Sequence, residues 1–230
     1  MIVLQHAYGS LEWIEARLAI PTASEFDKIV TAGGKFSEQS RTYMYAKLAE
    51  YFVGEQVNVG SSAYMERGKE LEPAAIADYE WEHRTEVEPG RLVLRDDGKC
   101  GASPDGFVGA AGLLESKEFG IVNHVGRCLA DGSDYRVQVQ GQLYVCGREW
   151  CDRYSHNASF PSQTVRVFRD EEFIAKLAAG LNQFIERFEA ARDKLLADGW
   201  QRLGLRCPVG GVKASICRCA SCEARRKEGI

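Results

Sequence analysis

The sequence predicts an α/β fold: a central mixed β-sheet with helices packed on both of its faces. Helical periodicity dominates the N-terminal part, short apolar runs broken by glycine and aspartate fill the middle, and a long helical period follows. Helices that both precede and follow a cluster of strands are typical of layered α/β proteins. With 230 residues, 45% of them apolar, the chain is long enough to bury one core.

Three helices are predicted before the sheet. Thr22, followed three residues later by Glu25, has the pattern of a capping box, which predicts that a helix starts there. Apolar residues at three-to-four spacing predict a second helix from about Glu38 to Phe52 and a third from about Ala63 to Glu82. The N-terminal part of the chain is therefore predicted to be helical.

The strands are predicted from turn signals between apolar runs. Asp96, Asp97 and Gly98 interrupt the run at 91–106 and predict a hairpin, and the glycine-rich segment 106–112 predicts a second turn before a strand at 112–119. The remaining predicted elements are a helix at 135–146, strands at 151–160 and 163–169, and a long helix at 171–198.

Composition narrows the class of protein. No apolar run is long enough to span a membrane, and the N-terminus lacks the basic and apolar regions of a signal peptide, so we expect a cytoplasmic protein. A formal net charge of −4 argues against a protein whose whole surface binds nucleic acid. It leaves room for a local basic groove, since phosphate binding depends on where Lys and Arg cluster.

Cysteines divide the chain into a main domain at 1–203 and a Cys-rich tail at 204–230. Thiolates at the spacing found in the tail can close on one structural zinc ion, and a flexible tail with free thiols is the alternative. The candidate zinc ligands are Cys207, Cys217, Cys219 and Cys222. The other cysteines are scattered and are expected to be small buried apolar residues: Cys100, Cys128, Cys146 and Cys151.

Two acids and an amine flank the second predicted turn. Asp105 precedes it, and Glu115 and Lys117 lie two residues apart on the following strand, so their side chains share a face. Carboxylate oxygens suit Mg²⁺ or Mn²⁺, and an amine beside a metal-bound water can help to deprotonate or orient it. The alternative is a solvated hairpin with an ordinary surface ion pair.

Four blocks in order make the chain resemble one family. They are EWIEARLAIPTASEF at 12–26, ERGKELEPAA at 66–75, SPDGFVGAAGLLESKEF at 103–119 and YRVQVQGQLYVCG at 135–147. The pattern resembles the PD-(D/E)xK nucleases, and within them the lambda exonuclease family of phage recombination nucleases, also called YqaJ-type. The resemblance implies a restriction-endonuclease-like core and a metal-dependent enzyme that digests one strand of duplex DNA ends from 5′ to 3′.

The resemblance also implies an assembly, a partner, a location and a set of metal ligands. It implies a two-metal phosphodiester hydrolase working as a ring-shaped homotrimer with a single-strand annealing recombinase, in the cytoplasm of a bacterial host and encoded by a phage or prophage. The implied metal ligands are Asp105, Glu115, Glu72 and the backbone carbonyl of Ser116, with Glu70 as the alternative to Glu72.

Three further roles follow from the same resemblance. Lys117 would position the attacking water, and Gln138, with Gln140 as the alternative, would contact the metal-site water or phosphate. Arg17 and Ser24 match the pocket that holds the 5′-phosphate of the digested strand. An arginine fork and a helix N-terminus both favour phosphate, which supports that assignment independently. The alternative for Arg17 is a surface ion pair with a neighbouring glutamate.

Three other functions compete with the exonuclease. One is an endonuclease or repair nuclease of the same core acting on DNA junctions or internal sites, which would not require a DNA end. Another is a non-catalytic DNA-binding module. The presence of all four residues Asp105, Glu115, Lys117 and Glu72 argues against it, because a protein without catalysis has no chemical reason to keep them. The third is a zinc-stabilised interaction protein, which would depend on the C-terminal cysteines.

Overall fold

The computed structural model of the protein describes residues 1–6, 10–57, 63–129 and 135–203, and of residues 63–70 only the backbone. The predicted tail at 204–230 lies outside the described residues. The same holds for the zinc ligands predicted in that tail: Cys207, Cys217, Cys219 and Cys222.

Eight strands form two sheets in the described residues. In chain order they are β1 (Ile2–Val3), β2 (Val87–Pro89), β3 (Val93–Leu94), β4 (Gly101–Ala102), β5 (Gly106–Val108), β6 (Gly112–Glu118), β7 (Trp150–Asn157) and β8 (Phe160–Phe168). The larger sheet has the order β2-β5-β6-β7-β8, and the smaller has the order β1-β3-β4. Only β6 and β7 pair in parallel in the larger sheet, so the prediction of a mixed sheet is confirmed.

Both predicted hairpins form, but the second turn is shorter than predicted, because residues 106–108 of the predicted turn at 106–112 form β5. β3 and β4 form an antiparallel hairpin in which Gly98 adopts a φ of 70°, a conformation that glycine reaches without steric cost. β5 and β6 form the second hairpin, with Val108 opposite Gly112 across the turn. This second hairpin brings the segment before β5 beside the middle of β6.

Six α-helices and one 3₁₀ helix surround the sheets in the described residues. They are α1 (Leu11–Arg17), the 3₁₀ helix Ala23–Lys28, α2 (Ser40–Val53), α3 (Ala63–His83), α4 (Ile121–Leu129), α5 (Arg136–Cys146) and α6 (Glu171–Ala197). The four long helices agree with their predicted ranges to within two residues. The short α1 and α4 were not predicted, because seven and nine residues carry too little periodicity. None of the described helices is both long and apolar enough to cross a lipid bilayer.

The predicted capping box at Thr22 is wrong in detail. A helix does begin at Ala23, but it is a 3₁₀ helix, and the Thr22 side chain makes no capping bond to it. The Thr22 hydroxyl instead lies 3.4 Å from the hydroxyl of Ser24, and the Glu25 carboxylate accepts from Lys28 at 2.6 Å. Side-chain partners therefore replace the local capping pattern here.

Helices cover both faces of the larger sheet, as predicted. Leu113 and Leu114 point to opposite faces of β6, and each belongs to a separate apolar core. Leu114 packs with Tyr154 and with Tyr79 of α3. Leu113 packs in the larger core, to which α2, α5 and α6 contribute. Glu115 has the same parity as Leu113, so it points to the face that α5 covers.

Three of the scattered cysteines are buried, as predicted, and one is not. Cys100, Cys146 and Cys151 are each 0% exposed, and burial raises the pKa of Cys100 to about 11 and that of Cys146 to about 12. These thiols stay protonated near neutral pH. Cys128 is exposed, so its prediction was wrong. It lies on α4, whose outer side faces solvent.

Candidate active site

The second hairpin places Asp105 against the centre of β6. Asp105 directly precedes β5, and its Oδ2 accepts a hydrogen bond of 2.7 Å from the backbone N–H of Ser116. Its own N–H donates to the carbonyl of Leu114 at 3.1 Å. The side chain is therefore fixed beside the peptide that joins Glu115 to Ser116.

Glu115 lies at the bottom of the site and is only 3% exposed. Its Oε1 accepts from the Gln138 amide at 2.6 Å and lies 2.6 Å from the ammonium of Lys117. Its Oε2 accepts from the Gln142 amide at 2.5 Å. Donors from β6 and α5 thus hold both oxygens of one buried carboxylate.

The two candidate glutamines have separate places. Gln138 faces Glu115, whereas Gln140 donates to the carbonyl of Phe168 at 2.8 Å and accepts from the N–H of Asp170. Gln140 therefore joins α5 to the start of α6. Sequence reasoning missed Gln142, although its position four residues after Gln138 puts both on one face of the helix.

Lys117 is held in its charged form. Burial alone would lower the pKa of Lys117, but the carboxylates of Glu115 and Asp105 outweigh burial and raise the pKa above its usual value. A protonated ammonium can orient a water or a phosphate oxygen and stabilise negative charge, but it cannot accept a proton. Of the two roles considered for the amine, the structure favours orientation over deprotonation.

Carboxylates crowd around Asp105. Burial raises the pKa of Asp105 well above its usual value, and the charges of Glu115 and Glu72 raise it further, against an opposing effect of Lys117. Glu72 of α3 therefore lies close enough to act on Asp105 electrostatically, as its predicted place in the site requires. A carboxyl destabilised by like charges is the kind of group that a cation relieves.

The donor set fits a hard divalent cation. Within the described residues, no three His, Cys, Asp or Glu side chains are grouped so as to hold a metal ion by themselves. Mg²⁺ is nevertheless commonly bound by one or two carboxylates together with waters and substrate phosphates. Asp105 and Glu115 could supply those carboxylates, and the peptide group of Ser116 belongs to the same cluster.

Asp105→Asn is expected to raise the Tm of the metal-free protein at alkaline pH. Because the folded pKa is raised, the folded state binds this proton more tightly than the unfolded chain does. The stability that this contributes is full below the unfolded pKa, near 3.8, and is lost as pH rises through the folded pKa. An amide removes that loss, and it should also remove any rise of Tm on adding Mg²⁺. Thermal scans at pH 8 with EDTA and with Mg²⁺ measure both.

Asp97→Asn serves as a control, because the pKa of Asp97 is shifted in the opposite direction to that of Asp105. The Asp97 carboxylate bonds to Arg95, which lowers the pKa of Asp97. Asp97→Asn should therefore leave the Tm in EDTA unchanged or lower it, and should preserve the response to Mg²⁺. A fall of Tm in Asp105→Asn would contradict the electrostatic account of the site.

Arg17 and Ser24 come together through a residue that was not predicted. The Arg17 guanidinium lies 3.5 Å from the hydroxyl of Thr22, which lies 3.4 Å from that of Ser24. The guanidinium also stacks over the ring of the buried Trp13 at 4.4 Å. The result is a guanidinium with two hydroxyl groups beside it at the start of the 3₁₀ helix.

This Arg17 cluster is joined to the carboxylate site by backbone contacts. The N–H of Gly101 in β4 donates to the carbonyl of Pro21 at 3.0 Å, and Asp105 follows four residues after Gly101. α5 also packs on the 3₁₀ helix, where a Cβ at Gly141 would lie 2.5 Å from the ring of Phe26. The helix that carries Gln138 is therefore seated on the helix that carries Ser24.

A buried ion pair supports the chain beside Arg17. Glu50 and Lys47 of α2 are 4% and 6% exposed, and their charged groups lie 3.0 Å apart. Glu50 also accepts from the N–H of Ala19 at 3.1 Å, where the backbone has a φ of 63°. A left-handed alanine is disfavoured by about 1 kcal/mol, and this hydrogen bond helps to hold it. The turn between α1 and Thr22 is thus fixed from α2.

Solved structures show the same fold. An alkaline exonuclease from Laribacter hongkongensis, LHK-Exo, is 31% identical over 82% of this chain and 97% of its own, with a TM-score of 0.73. Its complex with dAMP gives the same values. A phage-related exonuclease from Haemophilus somnus shares 16% identity over 78% of this chain and 96% of its own, with a TM-score of 0.62, a likeness of fold alone.

The family comparison agrees with these structures. Comparison with curated proteins found no matching sequence. The model of the YqaJ-like viral recombinase domain matches residues 12–149. This range is more than half of the chain, and it contains the Arg17 cluster, Glu72, the hairpin with Asp105 and Glu115, and α5. The chain therefore belongs to the family of YqaJ-like viral recombinase domains.

Proposed function

We propose that the protein is a metal-dependent exodeoxyribonuclease that degrades one strand of duplex DNA ends from 5′ to 3′ in phage-type homologous recombination. The arrangement of Asp105, Glu115 and Lys117 on one hairpin carries the proposal, because it sets two carboxylates and a fixed ammonium around one point. Membership of a viral recombinase family and 31% identity to an alkaline exonuclease support it.

Each residue has a distinct part in the proposed hydrolysis. Asp105 and Glu115 would hold Mg²⁺ or Mn²⁺ together with waters and the substrate phosphate, and Glu72 would add its charge beside Asp105; the ion would supply charge neutralisation at the phosphate and a more acidic water. The Lys117 ammonium would orient the attacking water and stabilise charge that develops on the phosphate oxygens. Gln138 and Gln142 would keep the Glu115 carboxylate in one orientation through their amide hydrogen bonds.

The Arg17 cluster would give the reaction its direction. A guanidinium flanked by two hydroxyl groups offers a charge-assisted fork and two further donors to a terminal phosphate. If the 5′-phosphate is held there, the scissile bond that reaches Lys117 belongs to the held end. Cleavage would then release nucleotides from the 5′ end.

Arg17→Ala is expected to remove the preference for a 5′-phosphate over a 5′-hydroxyl end. Losing the charge-assisted hydrogen bonds should lower kcat/KM on phosphorylated ends by about 10–100-fold and leave kcat/KM on hydroxyl ends nearly unchanged. Release of labelled nucleotide from two duplexes that differ only in their 5′ end measures both values of kcat/KM. Arg41→Ala, which removes an exposed guanidinium bonded to Tyr45, is the control and should keep the preference. An unchanged preference in Arg17→Ala would remove this residue from the phosphate pocket.

One digestion tests the activity itself. A linear duplex with a 5′-phosphate on one strand and a 5′-hydroxyl on the other is incubated with Mg²⁺, with Mn²⁺ and with EDTA. Mononucleotides released only with metal, and mainly from the phosphorylated strand, are the expected result. Cuts in closed circular DNA would instead indicate an endonuclease or repair nuclease with the same core, and no cleavage of any DNA would overturn the proposal.

The proposed assembly and location follow the family resemblance. We propose a homotrimer around the DNA, acting with a single-strand annealing recombinase in the cytoplasm of a bacterial host. Sedimentation of the full chain measures the oligomeric state directly. A monomer that retains activity would contradict the trimer without affecting the proposed chemistry.

A further inference from the structure

A pocket continues from the candidate active site, since Glu115 and Lys117 both line it. It is open to solvent, and besides Glu115 its lining includes Lys117, Phe119, Arg127, Tyr135, Arg153 and Gln163. The resemblance and the proposed hydrolysis give no role to the last five of these. Three of the six are cations, although the whole chain has a formal net charge of −4.

The sheet register shows why this pocket is continuous with the active site. Glu115 pairs with Arg153 and Lys117 with Ser155 across the parallel strands β6 and β7. Paired residues point to the same face, so Arg153 lies beside Glu115 on the face that holds the site. Gln163 of β8 pairs with Ser155 and extends the same face by one more strand.

Both arginines lie close to one aromatic ring, that of Tyr135. The guanidinium of Arg127 on α4 stacks over the Tyr135 ring at 4.7 Å, and that of Arg153 lies 5.6 Å from the same ring. Arg127 also donates to the Tyr135 hydroxyl at 3.1 Å and lies 5.2 Å from the Phe119 ring. Tyr135 keeps 38% of its surface exposed, so part of this residue faces the open side of the pocket.

We propose that this pocket binds one unstacked nucleotide of the digested strand next to the nucleotide at Lys117. Its phosphate would contact Arg127 and Arg153, and its base would pack against the exposed part of Tyr135. Cations that follow the backbone, together with an aromatic ring for the base, are how single strands are bound without sequence preference. A base within a duplex is already stacked on its neighbours and would not offer its face to the ring. This inference rests on the proposed function, since it assumes that a DNA strand reaches Lys117.

The test measures binding without cleavage. A 3′-labelled hexathymidylate with a 5′-phosphate is titrated in EDTA against the full chain and against Arg127→Gln, Arg153→Gln, Tyr135→Ala and Tyr135→Phe. We expect the first three variants to weaken binding about 10-fold each, and Tyr135→Phe to bind like the original protein because it keeps the ring. Each arginine variant should also reduce the slope of log Kd against log salt by about 0.7.

Arg192→Gln is the matched control. Arg192 lies on α6, away from the pocket, and pairs with Asp193. It should change neither the affinity nor the salt slope. Circular dichroism of every variant checks that the fold is kept, and the ring-retaining Tyr135→Phe separates base stacking from a general loss of structure.

The outcomes separate this inference from the proposed function. If the protein digests DNA ends but the arginine and alanine variants bind the hexamer unchanged, the pocket inference is wrong and the nuclease stands. If free dTMP competes as strongly as the hexamer and depends on the same residues, the pocket is a mononucleotide site and the strand assignment is overturned. Binding that depends on the pocket in a protein that cleaves no DNA would keep the pocket and reject the nuclease.

Discussion

Replacing Lys117 with alanine is expected to lower kcat on duplex ends by about 10²–10⁴-fold, the usual contribution of a positioned catalytic group. The ammonium lies 2.6 Å from Glu115 and is held in its charged form, so its loss removes orientation of the water and stabilisation of the phosphate charge. Binding of DNA ends should change little, because the Arg17 cluster remains. Single-turnover release of labelled nucleotide, with binding measured separately in EDTA, gives both values.

Lys176→Ala is the control for this experiment. Lys176 is half-exposed on α6 and pairs with Glu172, so its removal changes the net charge by the same amount far from the site. It should retain full turnover. Full activity in Lys117→Ala would show that the catalytic assignment is wrong, and equal losses of binding and turnover would make Lys117 only a phosphate contact.

Replacing Glu50 with alanine is expected to destabilise the fold by about 3 kcal/mol. The change leaves the Lys47 ammonium buried without its closest partner, and removing one member of a buried pair typically costs 3–5 kcal/mol. Glu25, whose carboxylate lies 3.5 Å from the same ammonium, keeps the loss near the lower value. The free energy of unfolding in urea measures this effect.

An exposed pair of the same chemistry sets the scale for that result. Glu172 and Lys176 are 82% and 49% exposed, so Glu172→Ala should change the free energy of unfolding by less than about 1 kcal/mol. Replacing Lys47 by methionine in the Glu50→Ala background should recover part of the loss, since no charge is then left buried. A loss below 1 kcal/mol in Glu50→Ala would mean that water or Glu25 already compensates Lys47.

Local patterns predicted most of the fold. The long helices and both hairpins follow from periodicity and from glycines at turns, signals that lie within a few residues of each other. The Thr22 cap did not form because Thr22 and Glu25 have other partners. The Thr22 hydroxyl lies near Arg17 and Ser24. The Glu25 carboxylate accepts from Lys28 and, at 3.0 Å, from the hydroxyl of Tyr43.

The residues of the candidate site also differ in how far local sequence patterns identify them. Asp105, Glu115 and Lys117 were identifiable because one hairpin carries them all. Gln142 was recoverable from its helical spacing to Gln138, but nothing in the sequence said which carboxylate that face would meet. The roles of Glu50 and Arg153 were out of reach, because each depends on a partner brought close only by tertiary pairing.

The contact between Gly141 and Phe26 fixes the separation between two parts of the candidate site. Since any side chain at Gly141 would collide with the Phe26 ring, α5 and the 3₁₀ helix lie at one separation, and with them Gln138 and Ser24. The proposed 5′-phosphate pocket and the proposed cleavage site are then held at a fixed distance from each other. If the 5′-phosphate is held beside Ser24 and the strand is cut beside Gln138, this separation would set the number of nucleotides removed in each round, whichever base is removed.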